Sequence, residues 1–109
     1  MKRICYTLNL KNKKSLIREY INHHNNVWPE IIKNMKDSGI INAEIYNFSN
    51  RLFFLIEVDE TFSEKRKKDL DKKNKFVSKW EEMMLKYQEL IPNSPRGQKW
   101  VKMNKIFEL

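Results

Sequence analysis

The sequence of 109 residues predicts a single α+β domain whose elements follow the order β-α-β-β-α-β. Three observations support this class. The chain opens with a stretch in which apolar and polar residues alternate, and two β-rich stretches joined by a short polar turn lie near its middle. Segments with apolar residues at helical spacing follow each of these parts. A hydrophobic fraction of 40% is enough for a core, although so short a chain buries a modest share of its surface.

The first half of the chain begins with a predicted strand over residues 3–10, in which every second side chain is apolar. Such alternation indicates a strand that is buried on one face only. A helix follows and extends to about Asn22, with its apolar side chains on one side. Asn12 or Ser15 is the expected N-cap of this helix, because short polar side chains accept hydrogen bonds from the first free backbone N–H groups.

A break between two helical segments is predicted close to His24. Pro29 cannot lie within the first helix, because it lacks an N–H and collides with the preceding turn. It suits the first position of a new helix, where the acidic Glu30 is also favourable. Tyr20 and His24 are four residues apart and therefore share one helix face. The second segment is expected to end at Gly39 in a left-handed C-terminal cap.

The middle of the chain predicts a β-hairpin. Its strands are residues 40–48 and 52–58, and the polar stretch 47–51 forms the turn. Residues 52–56 are apolar on both faces, so this strand belongs at the centre of the sheet with helices on one side. The other side is most simply covered by the sheet of a second copy, and we therefore expect a homodimer.

Two more helices and a last strand complete the predicted fold. A capping box at 61–64 starts a helix that reaches about Lys73, and a further helix covers about 75–90. A loop over 92–97 then leads to a last strand over 100–109. The resulting order is that of the ferredoxin-like fold, in which helices cover one face of an antiparallel sheet.

Composition narrows the classes of function. The formal net charge is +8, from 22 basic and 14 acidic residues. Lysine dominates over arginine, and acids flank the densest basic run at 65–68, which indicates a solvated helix with internal ion pairs. Cys5 is the one cysteine, and no apolar run approaches the roughly 20 residues that span a bilayer. We therefore expect a cytoplasmic protein without a nucleic-acid or membrane partner.

A family resemblance is carried by residues 24–30, HNNVWPE, together with Tyr20 four residues before them. This pattern resembles the signature of the L-rhamnose mutarotase family, and the resemblance extends over nearly the whole chain. It implies a ferredoxin-like fold of the dimeric α/β-barrel type. It also implies a cofactor-independent isomerase that interconverts the α and β anomers of L-rhamnose or a related deoxyhexose.

Anomer exchange needs a group that gives and takes protons near neutral pH. The ring oxygen of the sugar must gain a proton and the anomeric hydroxyl must lose one, and an imidazole with a pKa of about 6.5 can serve both steps. The resemblance implies that His24 is the proton donor and that Tyr20 contacts the sugar. The neighbouring His23 points about 100° away around the helix, so we expect it to be an exposed bystander.

Trp80 is the third predicted site residue, because an aromatic ring can pack against the apolar face of a sugar. The sequence departs from the family at two positions. The family carries a Trp-Trp pair where this chain has Trp80 followed by Glu81, and Ala43 stands where the family has a second substrate-contacting tyrosine. These departures leave His24 intact and leave the identity of the sugar open. Trp28 is expected to anchor the helix break by packing.

No cofactor or metal is expected, because the sequence has no phosphate loop, no dinucleotide fingerprint and no metal-ligand spacing. Two adjacent histidines without a cysteine or clustered carboxylates do not make a zinc site. Two other classes stay open. One is a non-catalytic dimeric module that binds an anionic partner through its lysine-rich helix. The other is a different small-molecule enzyme on the same scaffold, such as a cofactor-free oxygenase.

Overall fold

The computed structural model describes residues 2–95 and 98–109. One five-stranded sheet organises the chain, and four α-helices are found in the described residues. The strands are β1 (Lys2–Leu10), β2 (Ile40–Phe48), β3 (Arg51–Val58), β4 (Gln88–Glu89) and β5 (Val101–Lys102). The helices are α1 (Lys14–His23), α2 (Pro29–Asp37), α3 (Glu64–Lys73) and α4 (Lys75–Leu85), and a 3₁₀ turn covers His24–Asn26.

The strand order is β2-β3-β1-β4, with β5 also pairing with β1. All these pairings are antiparallel. Together with the alternation of strands and helices along the chain, this order is the ferredoxin-like arrangement. The prediction of an α+β ferredoxin-like fold is therefore confirmed, and β3 lies inside the sheet as its apolar sequence required.

The two faces of the sheet differ in their cover. The alternating side chains of β1 and β3 that face the helices are buried, as the register Leu8 opposite Leu52 and Ile4 opposite Ile56 shows. On the opposite face, which we call the outer face, Phe53 and Leu55 of β3 are only half-buried. This difference follows from the period of two in a strand, which sends neighbouring side chains to opposite faces.

Two groups of buried side chains fill the space between the sheet and the helices. The tyrosine cluster consists of Leu10, Tyr20, Leu52, Met84 and Tyr87, against which Trp80 and Trp100 also pack. The isoleucine cluster consists of Ile4, Ile40, Ile56 and Val58, with Met35, Phe54 and Phe62 against it.

The end of α2 depends on Gly39, as predicted. This residue has a φ of +98°, in the left-handed region that side-chain-bearing residues rarely adopt. A Cβ atom at this position would lie 2.7 Å from Asp59 Oδ1 and 2.8 Å from Thr61 Oγ1. Backbone conformation and space therefore both require glycine where the chain turns from α2 into β2.

The predicted N-cap of α1 is wrong. Lys13 occupies the cap position without a side-chain hydrogen bond, and neither Asn12 nor Ser15 caps the helix. The start of α1 is instead set by the backbone before it, because the N–H of Lys11 donates to the carbonyl of Tyr87 at 2.8 Å. Exposed N–H groups in the first turn can be satisfied by solvent, so a side-chain cap is dispensable.

The helix predicted from the capping box at 61–64 forms, but the capping residue differs. Ser63 is the N-cap of α3, and its hydroxyl accepts a hydrogen bond from the N–H of Arg66 at 3.0 Å. The hydroxyl of Thr61 donates to Asp59 at 2.6 Å and stabilises the preceding turn instead. The predicted internal ion pairs of α3 are present, with i,i+4 contacts of 3.1 Å for Lys65–Asp69 and 2.6 Å for Lys67–Asp71.

The C-terminal third departs most from the prediction. The last helix ends at Leu85 rather than near 90, because Gln88–Glu89 pair with the end of β1 as β4. The predicted strand over 100–109 is reduced to β5, after which the N–H of Met103 still donates to the Cys5 carbonyl at 2.8 Å. The predicted loop 92–97 has no helix or strand as far as Pro95, while Arg96 and Gly97 lie outside the described residues.

Candidate active site

The predicted break between two helical segments is confirmed and places His24 at a helix end. α1 stops at His23, a 3₁₀ turn covers His24–Asn26, and α2 begins at Pro29. Trp28 is extended and occupies the N-cap position of α2. Pro29 lacks a backbone N–H, but the first residue of a helix has no acceptor for one within the helix. The chain can therefore end one helix and begin another within a few residues.

A backbone carbonyl fixes the imidazole of His24. The N–H of His24 is directed at the carbonyls of Ile21 and Asn22, so the carbonyl of Tyr20 is left for a side chain at the end of the helix. His24 Nδ1 lies 2.8 Å from that oxygen. Because a carbonyl can only accept, Nδ1 is the donor, and Nε2 is left as the nitrogen that can exchange protons.

Two aromatic side chains pack against this imidazole, and a third packs against one of them. The ring centroids of Tyr20 and His24 are 4.5 Å apart, and those of His24 and Trp80 are 5.6 Å apart in an edge-to-face arrangement of 78°. Trp28 packs against Trp80 at 5.2 Å, which fits its expected role as an anchor. The structure therefore brings all three predicted site residues, His24, Tyr20 and Trp80, into one group beside the tyrosine cluster.

Burial shifts the ionisation of two of these residues. Burial lowers the pKa of His24 below its usual value, a nearby His23 adds to this, and the hydrogen bond to the Tyr20 carbonyl opposes it. Burial also raises the pKa of Tyr20 to about 12, although a hydrogen bond with Gln88 acts in the opposite direction. The group therefore favours a neutral imidazole and a neutral phenol in contact, without a fixed charge on either ring.

The prediction that His23 is an exposed bystander is wrong. Its side chain is half-buried, and its Nε2 lies 3.1 Å from the hydroxyl of Tyr87. The Tyr87 hydroxyl in turn donates to Glu19 Oε1 at 3.3 Å. Reasoning from the sequence missed Tyr87 and Glu19 as polar partners, although the i,i+4 spacing of Glu19 and His23 was a signal that they share a helix face.

The two positions that depart from the family pattern are both exposed. Glu81 follows Trp80 on the surface of α4, and Ala43 lies on β2 opposite Ile56. Ala43 is therefore on the helix-facing side of the sheet, because its partner in the strand pairing, Ile56, belongs to the isoleucine cluster.

One open depression on the described surface lies away from the His24 group. It has a volume of about 820 Å³ and is open to solvent. Asp59 and Glu64 are among its lining residues, but Asp59 is bound to Thr61 and Glu64 pairs with Lys102 at 3.1 Å. These two carboxylates are thus already engaged, and we regard the His24 group as the better candidate for chemistry.

Two further features concern the described residues only. Among residues 2–95 and 98–109, no three histidine, cysteine, aspartate or glutamate side chains are grouped so that they could hold a metal ion. In the same part of the chain, no helix has both the length and the apolar character needed to cross a membrane.

Comparison with known proteins identifies relatives over the full length of the chain. The sequence model of the L-rhamnose mutarotase family matches residues 3–109. An L-fucose mutarotase of Xanthomonas campestris pv. campestris is 33% identical over 111 residues, which cover 100% of this chain and 89% of the relative. A UPF0734 protein of Dictyostelium discoideum is 31% identical and covers 99% of this chain and 90% of the relative.

A solved structure of L-rhamnose mutarotase from Formosa agariphila supports the fold, with a TM-score of 0.73 and coverage of 100% and 99% of the two chains at 22% identity. Fold, site and relatives together define a class: small α+β isomerases that act on carbohydrates. The chain belongs to the L-rhamnose mutarotase family. The prediction of a carbohydrate isomerase is therefore confirmed.

Proposed function

We propose that this chain interconverts the α and β anomers of L-rhamnose or a related deoxyhexose, with His24 as the general acid and base. The observation that carries this proposal is the hydrogen bond from His24 Nδ1 to the Tyr20 carbonyl at 2.8 Å. It fixes one tautomer and leaves Nε2 as a proton acceptor whose conjugate acid is a donor.

A single nitrogen can carry out both proton transfers of this reaction. Nε2 of His24 takes the proton of the anomeric hydroxyl while the bond between the anomeric carbon and the ring oxygen breaks. The imidazolium then gives that proton to the ring oxygen, and the open-chain aldehyde rotates and closes by the reverse steps. Both oxygens are bonded to the same carbon in the ring form, so one positioned group can serve both. No net proton is consumed.

Tyr20 and Trp80 are proposed to position the sugar. Trp80 is half-buried, and its ring meets the His24 ring edge to face, so a sugar packed on Trp80 would be close to the imidazole. Tyr20 is only 3% exposed. We propose that it contributes chiefly through its neutral phenol and through the ring that packs on His24.

The identity of the sugar is the most open part of the proposal. L-rhamnose and L-fucose, the sugars in the names of the relatives described above, are both 6-deoxy sugars with an apolar methyl group. Ala43 and Glu81 stand where the family pattern has aromatic side chains, so two aromatic rings of that pattern are absent from this chain. We therefore propose that the site is either wider than the family pattern implies or shaped for a related deoxyhexose.

NMR exchange spectroscopy tests this function directly. We expect the protein to accelerate α/β exchange of L-rhamnose, L-fucose or both over common aldoses such as D-glucose. His24→Ala should lower this acceleration by about 10²- to 10⁴-fold, the usual share of general acid–base catalysis. Asn25→Ala, an exposed neighbour in the same 3₁₀ turn, is the matched control and should keep activity. Wild-type exchange rates in a folded His24→Ala protein would refute the mechanism.

We also propose that the protein is a homodimer formed through the outer face of the sheet. Apolar side chains remain exposed there, with Tyr46 54% and Phe48 84% exposed on β2. In the C-terminal segment 103–109, Ile106 and Phe107 are also 95% and 76% exposed. Side chains of this size at such exposure indicate an interaction surface.

Sedimentation of two charge-introducing variants tests the dimer. Phe48→Glu on the outer face should shift the protein to monomers, because a carboxylate would be buried without a partner. Ile32→Glu on the exposed surface of α2 is the matched control and should sediment like the wild type. Monomers in the wild type at micromolar concentration would exclude the proposal.

A single domain over residues 1–109 and a cytoplasmic location stay predictions that rest on the sequence.

A further inference from the structure

Beside the proposed active site lies a hydrogen-bonded chain of three residues that join α1 to the turn after α4. The Tyr87 hydroxyl donates to Glu19 Oε1 at 3.3 Å, and His23 Nε2 lies 3.1 Å from the same hydroxyl oxygen. Because Tyr87 gives its only proton to Glu19, its oxygen must accept from His23. Nε2 of His23 therefore carries a hydrogen.

His23 and His24 both pack edge to face against the same tryptophan. The centroid of the His23 ring lies 6.5 Å from that of Trp80 at 80°, and the His24 ring lies 5.6 Å from it at 78°. Consecutive residues on a helix are about 100° apart, so two adjacent histidines can flank one ring in this way. The ring of Tyr87 also packs against His23, with a distance of 5.5 Å between the ring centroids.

We propose that His23, held by Tyr87 and Glu19, is a positioning residue that orients the Trp80 ring and is coupled to the neighbouring imidazole of His24. This inference rests on the proposed function, in which His24 exchanges protons with the sugar. His23 itself would act without touching the substrate. Its effect would reach the reaction through the ring of Trp80 and through its own charge next to His24.

The electrostatics of the site agree with this role. The Glu19 carboxylate lies at the far end of this chain, and a like charge next to His24 disfavours a positive charge on its imidazole. In agreement, His23 acts to lower the pKa of His24, in the same direction as burial. The other ionisable groups that face this region are Tyr20, which burial keeps neutral, and Lys86, whose Nζ lies 3.8 Å from Glu19 Oε1.

The test is an NMR titration of the His24 imidazole, which requires no catalysis. In His23→Asn the pKa of His24 should rise toward its usual value, because one nearby like charge is removed. Tyr87→Phe keeps the ring and removes the hydroxyl, and Glu19→Gln removes the carboxylate. If the chain is coupled to His24, each variant should move the pKa of His24 away from its wild-type value. The melting temperature should change little.

Arg18→Gln is the matched control. It removes one positive charge from the exposed surface of α1 and leaves the chain from His23 to Glu19 untouched. We expect it to leave the pKa of His24 where it is in the wild type. In activity profiles, the acid limb of kcat/KM should move with the pKa of His24 in His23→Asn and stay in place in Arg18→Gln.

The outcomes separate this inference from the proposed function. Full activity in His24→Ala would refute the proposed function, whatever the titrations show. If His24 is essential but titrates alike in the wild type, His23→Asn, Tyr87→Phe and Glu19→Gln, the positioning role alone is refuted. An equal shift in Arg18→Gln would also refute it, because the effect would then belong to the net charge of the helix.

Discussion

The isoleucine cluster and the tyrosine cluster occupy the same layer between sheet and helices, yet they differ in chemistry. The isoleucine cluster consists of β-branched side chains from β1, β2 and β3, and each is at most 7% exposed. The tyrosine cluster contains two phenols and borders the half-buried rings of Trp80 and His24. One region is closed and apolar, whereas the other combines apolar packing with groups that can form hydrogen bonds.

This difference suggests that one cluster chiefly stabilises the domain and that the other borders the groups proposed for catalysis. Stiff β-branched side chains on neighbouring strands bury apolar area with little loss of rotamer freedom, so they stabilise the sheet. Phenol, indole and imidazole rings pack as well, but each keeps a polar atom that needs a partner. We expect substitutions in the isoleucine cluster to change stability, and substitutions around His24 to change catalysis.

The largest effect on stability is expected for Ile56→Ala. Ile56 is 2% exposed, and its removal leaves a cavity that the surrounding strands cannot fill. The free energy of unfolding should fall by about 2–5 kcal/mol, as for buried aliphatic truncations in general. Urea unfolding measures the loss, and exchange spectroscopy should give a normal rate per folded molecule. A catalytic defect in the folded fraction would contradict the division between the clusters.

Gly39→Ala should have the next largest effect on stability. The positive φ costs a side-chain-bearing residue about 1–2 kcal/mol, and the added Cβ would also collide with Asp59 and Thr61. Thermal unfolding would report the loss, with Ser15→Ala on the exposed surface of α1 as a control of small effect. A variant as stable as the wild type would show that the turn into β2 relaxes.

Trp80→Ala sharpens the comparison from the other side. We expect KM for the sugar to rise about tenfold, a loss of about 1.4 kcal/mol in binding. Trp80→Phe keeps an aromatic surface and should retain part of the affinity. Initial rates at several sugar concentrations, together with a thermal unfolding curve, distinguish binding from packing. An unchanged KM in the folded variant would assign Trp80 to the core alone.

The smallest effect concerns the pH dependence of stability. The pKa of His24 is lowered in the folded state, whereas the unfolded chain binds this proton at about pH 6.5. Unfolding is therefore favoured as pH falls below about 6.5, and the loss ends below the lowered folded pKa. Urea midpoints between pH 7.5 and 5 should show this loss in the wild type and a smaller one in His24→Gln. Ile56→Val, which changes no ionisable group, should follow the wild-type slope.

Local sequence signals predicted the framework well. Pro29 located the break beside His24, Gly39 located the end of α2, and the hairpin between β2 and β3 followed from alternation and turn residues. These features depend on neighbours in sequence, since proline and glycine act through backbone geometry and strands through a period of two. The spacing of four residues also predicted that Tyr20 and His24 share a helix face, as they do, whereas the roles of His24, Tyr20 and Trp80 stay predictions.

The features that sequence reasoning missed depend on distant contacts. The angle of about 100° between His23 and His24 is sound, but the direction of His23 is not toward solvent, because Tyr87 packs there from 64 residues away. In the same way, the last helix ends early because Gln88 and Glu89 pair with β1. A pattern within one helix does not contain information about a neighbour from another part of the chain.

The anchor of the His24 imidazole is a peptide oxygen, and this has a consequence for how the protein can change over generations. Every amino acid offers the same carbonyl, so replacement of the Tyr20 side chain would leave that acceptor in the chain. Sequence drift around the site can therefore change the side chains that surround the imidazole. The nitrogen that we propose faces the sugar would stay the same as long as the helix ends where it does.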